Sequence, residues 1–303
     1  MTAPPLGIRW TVGDVSDEGF AALRLSLWGA WRIFGRAAAY RVYVNSVPLD
    51  VACRRAGDVP GVVAWCAAAR RDIPPAIAAH LDPALAEGVA WKFAPLRAFP
   101  DRHELSLDND CILWALPPAV ERWLADGAAC LLAEDVAAYF GHFAPLCGPE
   151  PRNLGIRGLP PGFDLEGALV RTLRERPAVL TSETDEQGLQ VAALSRHRET
   201  HVVRVESVTI CSPFPPHLPR LGRCGAHFVG LNARRLPWEY EGRNGADHIR
   251  AHWARHRAAV QERVGVPPPA GRAPGHAGRP AASAPVSHDH GGVVREPGLR
   301  SSS

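Results

Sequence analysis

The order of secondary-structure patterns along the sequence predicts an α/β protein whose sheet carries helices on its faces. Strand-like and helical patterns alternate over residues 6–264, which is typical of this class. The 303 residues are 46% hydrophobic and 21% charged. That composition suits one large globular domain or two small ones, and it is too apolar for a disordered chain.

The first predicted elements are a strand, a helix and two further strands. An apolar segment ending at Thr11 and Val12 forms the first strand, and Ser16 caps the helix that follows. Gly35 ends this helix, because glycine readily adopts the backbone conformation of a helix end. Apolar residues at helical spacing support it: Phe20, Leu23, Leu27, Trp31 and Phe34.

Later patterns continue the alternation as far as the terminal helix. A glycine- and proline-rich stretch without a predicted element follows residue 150. The predicted strands cover residues 40–47, 62–65, 104–107, 128–132, 201–205 and 226–229. The predicted helices cover residues 75–85, 91–97, 117–125, 164–174, 186–194 and 246–264.

The composition changes near residue 265. Residues 266–303 contain 7 Pro, 6 Gly and 5 Ser and lack aromatic residues. Such a segment buries too little apolar surface to offset its ordering entropy. We therefore predict a folded domain over residues 1–264 and a disordered tail over residues 265–303.

Charge and cysteine content exclude several classes of protein. The net charge of +3 gives no sign of nucleic-acid binding, which usually needs a strongly basic face. The seven cysteines form no Cys-x-x-Cys pair, so we expect reduced, mostly buried thiols rather than disulfides or a zinc site. No apolar run approaches the ~20 residues of a membrane span, and the first residues do not resemble a signal peptide. We expect a cytoplasmic protein.

The segment Asp108-Asn109-Asp110 is the strongest candidate for a functional site. It follows an apolar strand, and ligands of α/β sheets bind at the carboxyl ends of strands. A divalent cation would explain two carboxylates so close to a core, since Mg²⁺ and Mn²⁺ prefer oxygen ligands. A turn rich in Asp and Asn explains the same segment without a metal.

A second candidate lies far downstream, around His227 and Gly230. A ring nitrogen of this histidine could complete a metal shell, and the following Arg234 and Arg235 could contact phosphate oxygens. Taken alone, His227 is better explained as a structural histidine.

Together the two segments resemble the glycogenin and bacterial galactosyltransferase-like family. That family carries an Asp-x-Asp after a strand and a late His-x-x-Gly-x-x-Lys-Pro-Trp, and this chain has Asp108-Asn109-Asp110, His227-Phe-Val-Gly230 and Pro237-Trp238. Six residues separate Gly230 from Pro237, more than in the family, and Leu236 stands at the lysine position. Arg234 or Arg235 would then have to supply the phosphate contact.

The resemblance implies a GT-A fold, in which a mixed sheet is flanked by helices, and a hexosyltransferase-like activity. A sugar would pass from a nucleotide-diphosphate sugar, a UDP-sugar in this family, to a glycan, lipid or small-molecule acceptor, with retention at the anomeric carbon. Mn²⁺ or Mg²⁺ would be held by Asp108, Asp110 and His227.

The resemblance also implies roles for further residues. Asp185, Glu186 and Gln187 match a segment that contacts donor sugar and acceptor, although acids are also common in the first turn of a helix. Lys92 would reach the diphosphate or sugar, although an arbitrary lysine is usually solvated. The remaining expected substrate-binding residues are Gly13, Asp14, Asn109, Asn153, Gly155, Gly230, Arg234 and Arg235.

Two other functions remain compatible with the sequence. A metal-dependent nucleotidyltransferase also uses an aspartate pair at a strand end, and a catalytically silent protein of the same fold could bind nucleotide sugars. The histidines 248, 252 and 256 share one face of the terminal helix, and we interpret that face as solvated.

Overall fold

The computed structural model describes residues 5–82, 91–196 and 199–266. Strands and helices alternate along them, which confirms the predicted α/β class. The strands are β1 (Leu6–Val12), β2 (Ala38–Val44), β3 (Val63–Ala67), β4 (His103–Leu107), β5 (Cys111–Leu113), β6 (Cys130–Glu134), β7 (Arg152–Leu159), β8 (Thr200–Val203), β9 (Val208–Ile210), β10 (Gly225–His227), β11 (Glu239–Tyr240) and β12 (Arg243–Asn244). The helices are α1 (Asp17–Phe34), α2 (Leu49–Ala56), α3 (Pro75–Ala78), α4 (Pro118–Ala125), α5 (Leu165–Glu175), α6 (Glu183–Ser195) and α7 (Gly245–Val264).

The central sheet has seven strands in the order β3-β2-β1-β4-β7-β6-β8. The four strands from β3 to β4 run parallel to one another. β7 runs antiparallel to both of its neighbours, β4 and β6. The predicted mixed sheet is therefore confirmed, and the start of β7 lies beside the carboxyl end of β4.

Helices cover both faces of this sheet, as the sequence predicted. On one face α1, α2 and α4 pack against the strands, with Trp10, Phe20 and Trp123 fully buried between them. On the other face α5 and α6 bury Leu169 and Leu189. Burial of such side chains contributes about 1.5–3 kcal/mol each, which makes these two layers the main source of stability.

A second, three-stranded sheet packs beside the first in the order β5-β10-β9. β10 runs antiparallel to β5, and this pairing sets His227 opposite Cys111. The terminal helix α7 closes over the small sheet and over α1, and it buries Trp253 against Phe228. The small sheet thus connects the segment after β4 to the last helix.

The predicted ends of α1 agree with the structure. The Ser16 hydroxyl accepts a hydrogen bond from the Gly19 N–H at 2.9 Å, which satisfies a free donor of the first turn. Gly35 follows the last helical residue with a φ of 50°, a value that glycine adopts without strain.

Three predictions from the sequence need correction. The stretch after residue 150 contains β7, a buried strand that its glycines and prolines concealed. The helix predicted at 91–97 is only a short 3₁₀ turn, Trp91–Phe93, since Pro95 restricts the residue before it. The helix predicted at 75–85 ends at Ala78, and residues 83–85 of that prediction lie outside the described part of the chain.

The last described residues are Gly265 and Val266, directly after α7. The tail predicted from residue 265 therefore lies outside the described residues from position 267 onward. Among the helices that the structure describes, not one combines the length and the apolar character needed to cross a membrane.

Candidate metal and nucleotide-sugar site

A cleft of about 350 Å³ opens where three parallel strands end. Gly13 follows β1, Asn45 follows β2 and Asp108 follows β4, and all three line the cleft. Carboxyl ends of parallel strands meet at one edge of a sheet, where α/β proteins bind their ligands. The position of the cleft is therefore that of a ligand site.

Asp108, Asp110 and His227 converge inside this cleft. One ligand atom from each lies within 4.8 Å of the others. His227 Nε2 is 3.2 Å from Asp110 Oδ1 and 3.7 Å from Asp108 Oδ2. The structure thus brings together the three residues that the sequence predicted as metal ligands, although 117 positions separate the last two in the chain.

Local backbone contacts hold the two aspartates in place. The Asp108 N–H donates to the Gly155 carbonyl at 3.0 Å, and the Cys111 N–H donates to the Asp108 carbonyl at 3.0 Å. The second bond closes a tight turn between β4 and β5, so both carboxylates leave the turn beside the cleft. Asp110 is only 3% exposed.

The register of β10 brings His227 to the same point. Burial by itself lowers the pKa of this histidine, but the charges of Asp110 and Asp108 outweigh burial, and the net pKa is raised. Gly155 leaves room for the ring, because a Cβ there would lie 2.4 Å from its atoms. Two carboxylates and an imidazole form a donor set that fits Mn²⁺ or Mg²⁺.

The charge balance of the cleft also favours a cation. Among its described lining residues, the acids Asp108, Asp110, Glu183 and Glu186 outnumber the bases Lys92, Arg157 and His227. Such a surface repels a diphosphate unless positive charge is added to it. A divalent cation between the aspartates would reverse the local potential.

Lys92 lies between two of these carboxylates. Its Nζ is 3.2 Å from Asp108 Oδ1 and 3.7 Å from Glu186 Oε2. Burial lowers the pKa of Lys92, but the two carboxylates outweigh burial and raise it above its ordinary value, so the side chain stays charged. For Glu186, 2% exposed, burial is the largest effect and raises the pKa.

Amide side chains complete the walls of the cleft. Asn232 donates to Asp110 Oδ2 at 3.2 Å and to Asn109 Oδ1 at 3.0 Å. Asn153 donates to Asp135 Oδ2 at 3.1 Å and accepts from the Gly155 N–H at 2.6 Å. These bonds hold the side chains around Asp108, Asp110 and His227 in place before any ligand arrives.

The structure brings most of the predicted site residues to the cleft. Gly155 lies directly behind the His227 ring rather than on the surface of the cleft. The predicted residues that line the cleft are Gly13, Lys92, Asp108, Asn109, Asp110, Asn153, Glu186, Gln187, His227 and Gly230.

Asp185 faces away from the cleft, in contrast to the predicted contact with substrate. Its carboxylate accepts from the His142 N–H at 2.9 Å and from the Thr181 N–H at 3.0 Å, near the start of α6. Burial alone would raise the pKa of Asp185, but these bonds outweigh it and hold the pKa at about 2. The Asp185 carboxylate therefore stabilises the backbone near the start of α6.

Asp14, Arg234 and Arg235 also lie outside the described lining of the cleft. Arg234 is bound to both carboxylate oxygens of Asp14, with Nη1 at 3.0 Å from one of them. Arg235 lies 4.0 Å from Glu239 on the surface. The expected phosphate contacts of the two arginines, and the expected substrate contact of Asp14, have no support in this arrangement.

Sequence reasoning missed seven polar residues of the cleft. A detectable signal existed for Arg157 and Gln190, because each is a polar residue inside an otherwise apolar segment. Asn232 lies in an irregular segment, where its contact with Asp110 has no local signature. The missed residues are Thr11, Asn45, Ser106, Arg157, Glu183, Gln190 and Asn232.

Comparisons with known proteins place the fold. No family model and no curated protein matches the sequence. Two structures of the galactosyltransferase LgtC, one an active-site mutant and one with donor and acceptor sugar analogs, each align at TM-score 0.52 and 11% identity. They cover 82% and 86% of this chain and 95% of LgtC in each case. The bifunctional glycosyltransferase WbbM aligns at TM-score 0.51 and 12% identity, over 86% of this chain and 52% of its own length. The chain has the GT-A fold.

Proposed function

We propose that this protein is a metal-dependent glycosyltransferase that transfers a sugar from a UDP-sugar to an acceptor hydroxyl, with retention at the anomeric carbon. The observation that carries the proposal is the convergence of Asp108, Asp110 and His227 in the strand-end cleft of a GT-A fold. The likeness to the galactosyltransferase LgtC adds support for the class of donor.

We assign the diphosphate of the donor to the position next to Asp108, Asp110 and His227. Cleavage of the donor leaves negative charge on the diphosphate, while the sugar becomes oxocarbenium-like. A Mn²⁺ or Mg²⁺ ion held by Asp108, Asp110 and His227 would supply positive charge to this leaving group. Lys92 adds a fixed charge next to it, and its contacts with Asp108 and Glu186 keep that charge in position.

The two ends of the cleft suit the two halves of the donor. On the β1 and β2 side, Asn45 has a buried Nδ2 without a hydrogen-bond partner among the described residues, which can donate to a base or ribose oxygen. On the α6 side, Glu186 and Gln187 line the wall with Asn153. We assign the sugar and the approaching acceptor to this second end.

Isothermal titration calorimetry with UDP tests the proposal through Asp110→Asn. This substitution keeps the shape of a ligand but removes its charge, so Mn²⁺-dependent affinity for UDP should fall by more than the ~10- to 100-fold that loss of an outer-shell partner costs. Asp101→Asn makes the same change at an exposed surface aspartate and should bind UDP like the unchanged protein. Undiminished Mn²⁺-dependent binding by Asp110→Asn would remove the basis of the proposal.

Product analysis separates transfer from the two alternatives. A glycosyltransferase releases UDP from a UDP-sugar slowly even without acceptor, because water can take the place of the hydroxyl. A nucleotidyltransferase instead consumes a nucleoside triphosphate together with a sugar phosphate. A protein that only binds nucleotide sugars consumes neither the UDP-sugar nor the nucleoside triphosphate and sugar phosphate in the presence of Mn²⁺.

A further inference from the structure

A second group of ligand-type side chains lies behind the cleft, between α7 and the small sheet. Cys211 directly follows β9, and His252 and His256 lie one turn apart on α7. One ligand atom from each lies within 4.8 Å of the others, and Cys211 Sγ is 3.3 Å from His252 Nε2. The sequence predicted a solvated histidine face and no zinc site, but Cys211 is 1% exposed and His252 is 2% exposed.

The donor set differs in kind from that of the cleft. A thiolate with two imidazoles is a soft set that suits Zn²⁺, whereas two carboxylates suit Mg²⁺ or Mn²⁺. A tetrahedral zinc with bonds of about 2.3 Å to sulfur and about 2.0 Å to nitrogen separates the two atoms by about 3.5 Å. The observed 3.3 Å between Cys211 and His252 is close to that separation.

We propose that Cys211, His252 and His256 form a zinc site that fastens α7 to the three-stranded sheet. Three protein ligands leave one position of the tetrahedron for water. His256 is only half-buried, so the metal has a path from solvent. Binding releases the thiol proton of Cys211 to solvent and forms the zinc–sulfur bond.

The position of this site gives it a structural role. The Cys211 N–H donates to the His227 carbonyl at 2.7 Å, so the backbone of the zinc site touches the backbone of the cleft histidine. The adjacent Phe228 ring packs against Trp253 on α7 with 4.8 Å between ring centres. Zinc would therefore fix the strand that carries His227 against the terminal helix.

The positive charge of Arg255 opposes the binding of a cation at His252. Arg255 Nη2 lies 3.4 Å from His252 Nδ1, and a zinc ion on Nε2 leaves a proton on Nδ1. Arg255 is exposed and can turn away into solvent. Arg255→Ala removes this competition and should increase the affinity for zinc.

Cobalt spectroscopy on the full chain tests the site independently of sugar transfer. The protein is stripped with a chelator and titrated with Co²⁺, which reports a thiolate ligand through a sulfur-to-cobalt charge-transfer band. We expect the band, its loss on addition of Zn²⁺, and its loss in Cys211→Ser. Asp110→Asn should retain it, because that variant damages only the cleft.

Matched controls cover the remaining outcomes. His248→Asn changes a histidine on the same helix that is not part of the group, and it should retain the band. His256→Asn changes the half-buried ligand and should lose one equivalent of bound zinc. If Cys211→Ser does not fold, this variant tests the zinc site in its place. A band that persists in Cys211→Ser, or zinc content unaffected by His256→Asn, would overturn the proposal whatever the fate of UDP binding.

Discussion

Glu104 is fully buried in the central sheet and faces three arginines. Its carboxylate accepts from the Ala98 and Phe99 N–H groups at 2.6 and 2.7 Å. Arg97 Nε and Arg157 Nη2 lie 3.6 and 3.7 Å from it. Burial lowers the pKa of Arg9 to about 10, and Glu104 is the first influence that opposes this shift. One carboxylate therefore offsets a group of buried positive charges behind the cleft.

Glu104→Gln should destabilise the protein by about 3–5 kcal/mol, because it leaves buried guanidinium groups without their countercharge. Urea unfolding followed by circular dichroism measures this loss. Glu175→Gln removes an exposed partner of Arg196 and should cost far less, because an exposed ion pair contributes little to stability. Equal losses in the two variants would show that Glu104 is not the countercharge of this group.

Residues with a local signature were the predictable part of the site. The Asp-x-Asp after a strand and the late His-x-x-Gly pointed to the three side chains that cluster in the cleft, because each motif is short and lies at the end of a strand. Arg234 had no such signature: its partner Asp14 is 220 positions away. Pairing of this kind depends on where loops meet in space, which a single sequence does not specify.

At the scale of elements, β7 determines the floor of the cleft. It runs antiparallel to β4 with Leu107 opposite Ile156, and this register places Gly155 beside the turn of Asp108. Gly155 and Gly158 lie on this strand, and a side chain added at each would meet different neighbours. A Cβ at Gly155 would meet His227, whereas a Cβ at Gly158 would lie 2.7 Å from Leu131 and Trp123.

Gly155→Ala should weaken Mn²⁺-dependent UDP binding by about 10- to 100-fold, since the added methyl displaces the His227 ring, a proposed metal ligand. Gly158→Ala adds the same methyl against the core, so it should lower stability and leave UDP affinity unchanged. Calorimetry well below both unfolding temperatures compares the two. Equal affinities in the two variants would mean that the His227 ring does not contact the ligand.

The pattern of hydrophobic residues predicted the long helices best. Long amphipathic segments such as α1 and α7 carry many periodic positions, so their limits differ from prediction by one or a few residues. β5 and β9 have three residues each, too few for a period to be recognised. β7 has buried residues on both faces, so its sequence lacks the alternation that marks a half-exposed strand.

At the scale of the whole molecule, an acidic cleft contrasts with the small positive net charge of the chain. The +3 of the full sequence is spread over 34 basic and 31 acidic residues, so it says little about any one surface. The described lining of the cleft has the opposite sign, with four acids against three bases, one of them a histidine. Ligand binding and metal binding should therefore depend on each other, because each supplies charge that the other requires.

This mutual dependence predicts the pattern of a thermal-shift screen. A ligand that binds only the folded state at 100 times its Kd stabilises it by about 2.7 kcal/mol, or about 5–10 °C in Tm for a domain of this size. UDP with Mn²⁺ should give such a shift, whereas UDP alone should give little, because diphosphate then meets Asp108, Asp110 and Glu186 without a cation. GDP and CDP with Mn²⁺ serve as matched diphosphates and should shift Tm less than UDP. A full shift by UDP in the presence of a chelator would contradict the coupling, and equal shifts by all three nucleotides would contradict a uridine-specific donor.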